Sequence, residues 1–130
     1  MYLNCHSYHS LRYGTISVED LVRNSARMGI SALALTDINT ITGIYDFYKL
    51  CKEFGIKPIV GVDVRLDNQQ YFIALAKNNQ GITEICRMLT AHNCDGEILP
   101  RQNPDLPNCF IIYPLKNIPE VLEDNEFIGI

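Results

Sequence analysis

The chain has 130 residues, 47% hydrophobic and 20% charged, a size and balance that suit one globular domain and exclude a disordered tail or a complete eight-unit barrel. Its 11 basic residues are scattered and the formal net charge is -4, which argues against this segment gripping nucleic acid by itself, because phosphate binding needs clustered Lys and Arg. No stretch approaches the roughly 18–20 unbroken apolar residues that span a bilayer, and the N-terminus lacks the basic region and apolar run of a secretory signal, so a cytoplasmic location with no membrane association is expected.

Residues 2–5 read as a short strand that delivers its end into the polar, Gly-punctuated stretch 6–14. Ser17 followed by Glu19 and Asp20 is a variant of the helix-capping box, with acids in the positively polarised first turn, and the helix it opens stops at Gly29. Residues 30–36 form a continuous apolar run of the kind found in parallel strands covered on both faces. Ile41, Ile44, Tyr48 and Cys51 recur at helical spacing before a left-handed stop at Gly55, and a third strand follows at 58–64. Tyr45, Phe47 and Tyr48 on that helix read as core packing rather than a partner patch.

Asp67 and Asn68 mark a polar turn before a fourth strand at 71–76, and Asn78 or Asn79 caps a helix with the stripe Ile82, Ile85, Cys86 and Leu89. Residues 92–108, rich in Asn, Asp, Pro and Gly, are expected to be a long loop with little structure of its own. A fifth strand is expected at 109–113, a short helix at 119–122 and the opening of another strand at 127–130. Alternating strands and helices with right-handed crossovers curl into part of a parallel barrel. Such a cut barrel exposes a strand edge, which predicts a homodimer or a strand swap of the isolated segment. The five cysteines are odd in number and form no Cys-x-x-Cys pair, so they are expected to be reduced and mostly buried.

In parallel α/β folds, ligands meet the carboxyl ends of strands, which directs attention to Asn4, His6, His9, Asp37 and Asp63. Imidazole and carboxylate converging from separate strand ends is how hydrolytic metal sites are assembled, although a lone His or Asp there is ordinarily a loop-stabilising hydrogen-bond partner. The lysines Lys49, Lys52, Lys57 and Lys77 read as solvated surface charges.

Residues 3–14 (LNCHSYHSLRYG), 28–37 (MGISALALTD), 47–48 (FY), 55–61 (GIKPIVG) and 75–78 (LAKN), with the helix at Gly81, resemble in register the PHP (polymerase and histidinol phosphatase) domain that opens the bacterial DNA polymerase III alpha subunit. The resemblance covers nearly the whole chain. It implies an α/β fold, a distorted (β/α)7 barrel of which residues 1–130 hold the N-terminal portion, about the first half. It further implies a C-family DNA polymerase as parent, whose Mg2+-dependent polymerase domains lie beyond the chain and are the partners of this segment, DNA being reached only through the parent. A diverged second copy used in lesion bypass is the expected kind of parent.

Family members with an active PHP site hold a cluster of zinc or manganese ions that supports phosphoester hydrolysis or 3′-to-5′ proofreading. Carried across by position, the family's opening His-x-His falls on Asn4 and His6, the acid before the loop glycine on Tyr13, and the His of Thr-Asp-His on Ile38, beside the surviving Asp37. The family's Glu after the Gly-Ile-Lys-Pro strand falls on Asp63, and a His entering the fourth strand falls on Tyr71. His6, Asp37 and Asp63 thus remain as metal ligands, with His9 nearby at a position where the family places an aromatic ring. The expectation is a vestigial site with no cofactor of its own, a single zinc or manganese ion being the alternative. Hydrogen bonds among Asn4, His6, Tyr13, Asp37 and Asp63 would replace metal bonds, with Tyr13 and Tyr71 filling the vacated pocket. The competing reading is an active metal-dependent phosphoesterase or proofreading exonuclease.

Overall fold

The computed structural model describes residues 1–129 and contains five strands and three helices. The first helix, α1 (Val18–Arg27), starts where expected: the Ser17 hydroxyl accepts from the Asp20 N–H at 3.0 Å, and Glu19 and Asp20 occupy its first turn. Gly29, at φ +70°, follows its end. Strand β1 (Ala32–Leu35) pairs in parallel with β2 (Lys57–Leu66), the two being joined by α2 (Ile44–Phe54), which ends on left-handed Gly55. Val18 and Val22 of α1 and Phe47 and Cys51 of α2 bury against Leu33, Leu35 and Ile56. Phe47 therefore belongs to the core as expected, but Tyr45 and Tyr48 do not: both point to solvent.

Strand β3 (Gln69–Ala76) departs from a purely parallel barrel. Asp67 and Asn68 both have positive φ (49° and 65°) and form a two-residue connection, which only an antiparallel hairpin can use. The hairpin carries a bulge. Val64 pairs with Phe72 and Arg65 with Gln70, which leaves Tyr71 as the extra residue. Strand β4 (Cys109–Pro114) is antiparallel to β3 and β5 (Glu126–Gly129) is parallel to β4, giving the sheet order β1-β2-β3-β4-β5. The segment expected at 127–130 is thus a strand, with Ile130 outside the described residues.

Residues 2–5 form no full strand: Tyr2 makes a single parallel bridge to Leu33. Helix α3 (Asn79–Asp95) runs past Leu89, so the expected loop begins only at Gly96. Asn78 is its cap, accepting from Gln80 and Gly81 N–H at 2.8 and 3.1 Å. The loop that follows is anchored by buried Leu99 and Leu106, which join Ile85, Leu89, Val62, Val64, Phe72, Ile111 and Tyr113 in the main core. Residues 119–122 are not helical; the short apolar-acidic stretch after Pro119 offers too few turns to offset the cost of helix nucleation.

The opposite face of the sheet carries Ala34, Ile73 and Leu75, with Leu3, Ile59 and Ile112 packed against them. It opens into an apolar concavity of about 720 Å³ bordered by Phe110 and Phe127. All five cysteines are free thiols, but only Cys51 and Cys109 are buried, while Cys94 is exposed. Among the described residues no helix is long and apolar enough to cross a membrane.

Candidate functional site: the mouth of the sheet

The carboxyl ends of β1 and the parallel stretch of β2 lie beside the loop at residues 6–14, and two carboxylates enter there. Asp37 follows β1 and is 1% exposed. One of its oxygens accepts from the Ser7 N–H and the Ser10 hydroxyl, both at 2.6 Å, and the other accepts from the Ser7 hydroxyl at 2.7 Å. Ser10 in turn accepts from the Ile38 N–H at 2.9 Å. Asp37 therefore latches the loop to the sheet, and neither oxygen is left without a donor.

Asp63 lies inside β2 and is fully buried. Its Oδ2 meets three donors: Arg65 Nη2 at 2.7 Å, Gln70 Nε2 at 2.9 Å and His6 Nε2 at 3.0 Å. Burial alone pushes this carboxyl up, but the hydrogen bonds from His6 and Arg65, the guanidinium charge and the Gln70 amide outweigh it and hold the group below its ordinary value. Asp63 is therefore an anion at neutral pH, and His6 Nε2 must be the protonated nitrogen that donates to it.

The remaining expected residues disperse. Asn4 accepts from Thr36 Oγ1 at 3.0 Å. Tyr13 donates to Asn68 Oδ1 at 2.6 Å and covers the Arg65 guanidinium, 5.1 Å from its ring centre. Of the network expected among the five polar residues, two direct bonds are present among the described residues: the side-chain bond from His6 to Asp63 and a backbone bond in which the Asp63 N–H donates to the Asp37 carbonyl at 3.2 Å. Tyr71 does not fill this pocket, because the bulge turns it, with Phe72, into the core on the other face of the sheet. His9 packs its ring against Gly43 and Tyr8, away from both carboxylates.

The residues that complete the site were not singled out from the sequence. A strand's period of two places Arg65 on the same face as Asp63, and the hairpin register then sets Gln70 opposite Arg65, so both were accessible to a reading that paired the strands. Nothing in the spacing of Ser7 and Ser10 announces Asp37, 27 to 30 residues away.

This donor set does not fit a metal cluster. Both oxygens of Asp37 already accept from Ser7 and Ser10, His6 spends its facing nitrogen on Asp63, Ile38 has no donor atom, and among these described residues the carboxylate atom without a partner is the buried Asp63 Oδ1. Among the described residues no group of three or more His, Cys, Asp and Glu is placed to hold a metal ion.

The chain matches the PHP domain family model over residues 3–113. It is 34% identical to the DNA polymerase III subunit alpha of Chlamydia pneumoniae over 119 residues, covering 80% of this chain and 10% of that protein. It is 38% identical to the same subunit of Buchnera aphidicola over 96 residues, 74% of this chain and 8% of the relative. An error-prone DNA polymerase of Symbiobacterium thermophilum is 34% identical over 104 residues, 80% of this chain and 9% of that protein. The chain thus spans about a tenth of the length of these relatives. A Bifidobacterium adolescentis crystal structure, provisionally described as a metal-dependent phosphoesterase, shares the fold, with a TM-score of 0.54 over 68% of this chain and 32% of that one at 19% identity. The five-stranded α/β architecture is accordingly that of a partial PHP barrel, and the chain belongs to the PHP domain family.

Proposed function

We propose that this chain is the PHP segment of a C-family DNA polymerase of the DNA polymerase III alpha type, that it serves as a folded brace for the parent's other domains, and that it does not hydrolyse phosphoesters. Polymerase chemistry, with its Mg2+ ions, belongs to domains outside residues 1–130, and contact with DNA runs through them. The names of the relatives support the parentage. One observation carries the structural role: the chain's own donors already occupy both oxygens of Asp37 and one of Asp63, where a hydrolytic cluster needs bare carboxylates. The alternative, metal-assisted hydrolysis, has the unpartnered Asp63 Oδ1 in its favour, one oxygen that a single zinc or manganese ion could use.

The test is turnover of a generic phosphodiester, bis-(p-nitrophenyl) phosphate, by the purified chain with Mn2+ or Zn2+. The expected rate equals that of an Asp63→Asn chain and does not respond to EDTA. A chelator-sensitive rate abolished by Asp63→Asn would overturn the proposal.

A further inference from the structure

We infer that the guanidinium of Arg65 is the resident cation of this site: it holds the charge-balancing position beside Asp63 that a metal ion would need, and so makes the mouth of the sheet refuse divalent cations. The inference rests on the structural reading above and names the group responsible for it.

Three features support it. First, the Asp63 oxygen that faces His6 is saturated, since Arg65, Gln70 and His6 all donate to it within 3.0 Å. A carboxylate has about four lone-pair sites over its two oxygens, so three donors on one atom leave it no direction for a metal. Second, Arg65 is built in. The Asn39 side chain holds its backbone from both sides, accepting from the Arg65 N–H at 2.9 Å and donating to its carbonyl at 2.7 Å. Tyr13, itself tied to Asn68 at the hairpin turn, caps the guanidinium. The Arg65 side chain is only 19% exposed, unlike an arginine whose head group lies in water.

Third, the charges balance without a metal. Asp63, fully buried, and Arg65 form an ion pair at 2.7 Å, and a divalent ion at the free Oδ1 would sit against a fixed positive group. Its attraction to Asp63 would be set against repulsion from Arg65 in a region poorly screened by solvent. A planar fork with several donors is also better suited than a lysine to such a buried carboxylate.

The experiment compares the wild-type chain with Arg65→Met and Arg65→Lys, reading zinc retained after dialysis and thermal midpoint with ZnCl2 or EDTA. Wild type should retain no stoichiometric zinc and melt identically in both solutions. Arg65→Met should melt lower in EDTA, regain part of the loss in zinc and bind it roughly 10–100-fold more tightly than wild type, the range over which groups supporting a site tune metal affinity. Arg65→Lys, which keeps a cation, should fold and refuse zinc; it decides the matter if Arg65→Met does not fold. A wild-type chain that refuses zinc alongside a folded Arg65→Met that also refuses it, or an Arg65→Lys that takes zinc, overturns the role of Arg65 and leaves the structural reading standing. Stoichiometric zinc on the wild type, lost in Asp63→Asn, overturns both.

Discussion

Replacing Asp37 by Ala tests whether this carboxylate is a structural latch. The substitution removes three hydrogen bonds of 2.6–2.7 Å to one buried carboxyl group and leaves the Ser7 N–H and two hydroxyls without that acceptor. A hydrogen bond to a charged group contributes about 1.5–3 kcal/mol, but the three share one acceptor, so their contributions are not additive. The expected cost is therefore nearer the ~3–5 kcal/mol typical of breaking a buried charged network. Asp37→Asn keeps one acceptor oxygen and turns the other position into a donor, which the Ser7 hydroxyl can accept by rotation, so about 1–2 kcal/mol is expected. Urea unfolding followed by circular dichroism measures both, in EDTA and in zinc. A loss below about 1 kcal/mol for Asp37→Ala, or a loss that appears only when zinc is present, would refute the latch and return Asp37 to the role of a ligand.

Gly14→Ala is expected to lower the urea midpoint as well: a Cβ there would lie 1.6 Å from the Ser7 carbonyl oxygen, so the loop must move away from the Asp37 latch, at about 1–3 kcal/mol; an unchanged midpoint would show the loop to be soft. Iodoacetamide at neutral pH should modify exposed Cys94 first and spare Cys51 and Cys109, whose thiols burial pushes up to about 11 and about 12. The folded state favours the protonated form of these two groups, so their contribution to stability is complete below the ordinary thiol value of 9.0 and is lost as pH rises towards 11–12. An alkaline titration of the urea midpoint that stays flat across that window, or early labelling of Cys109 in the native chain, would contradict the burial argument.

Much of the fold was legible because its signals are local. Ser17 caps α1, Gly55 ends α2 and Asn78 caps α3 through groups no more than four residues away. The apolar run ending at Leu35 has the continuous burial of a parallel strand because both its faces are covered. The errors fell where distant partners decide. Tyr45 and Tyr48 have the composition of core residues but lie on a face of α2 that is exposed among the described residues.

The candidate site divides the same way. Residue identity alone determined that Asn4 and Ile38 cannot supply the ligands an imidazole would, that Asp63 and His6 bring a carboxylate and an imidazole to the same end of the strands, and that the chain has the register of a PHP domain. Only the tertiary structure decided what the carboxylates are bonded to: Ser7 and Ser10 close on Asp37 across some thirty residues of chain, and Arg65 and Gln70 reach Asp63 because a two-residue turn and a bulge set the pairing of β2 with β3. The physical reason is that hydrogen bonds are satisfied within about 3 Å in space whatever the separation along the chain. A buried charge is therefore matched by whichever donors the packed backbone brings to it, and one sequence read without its strand register does not reveal them.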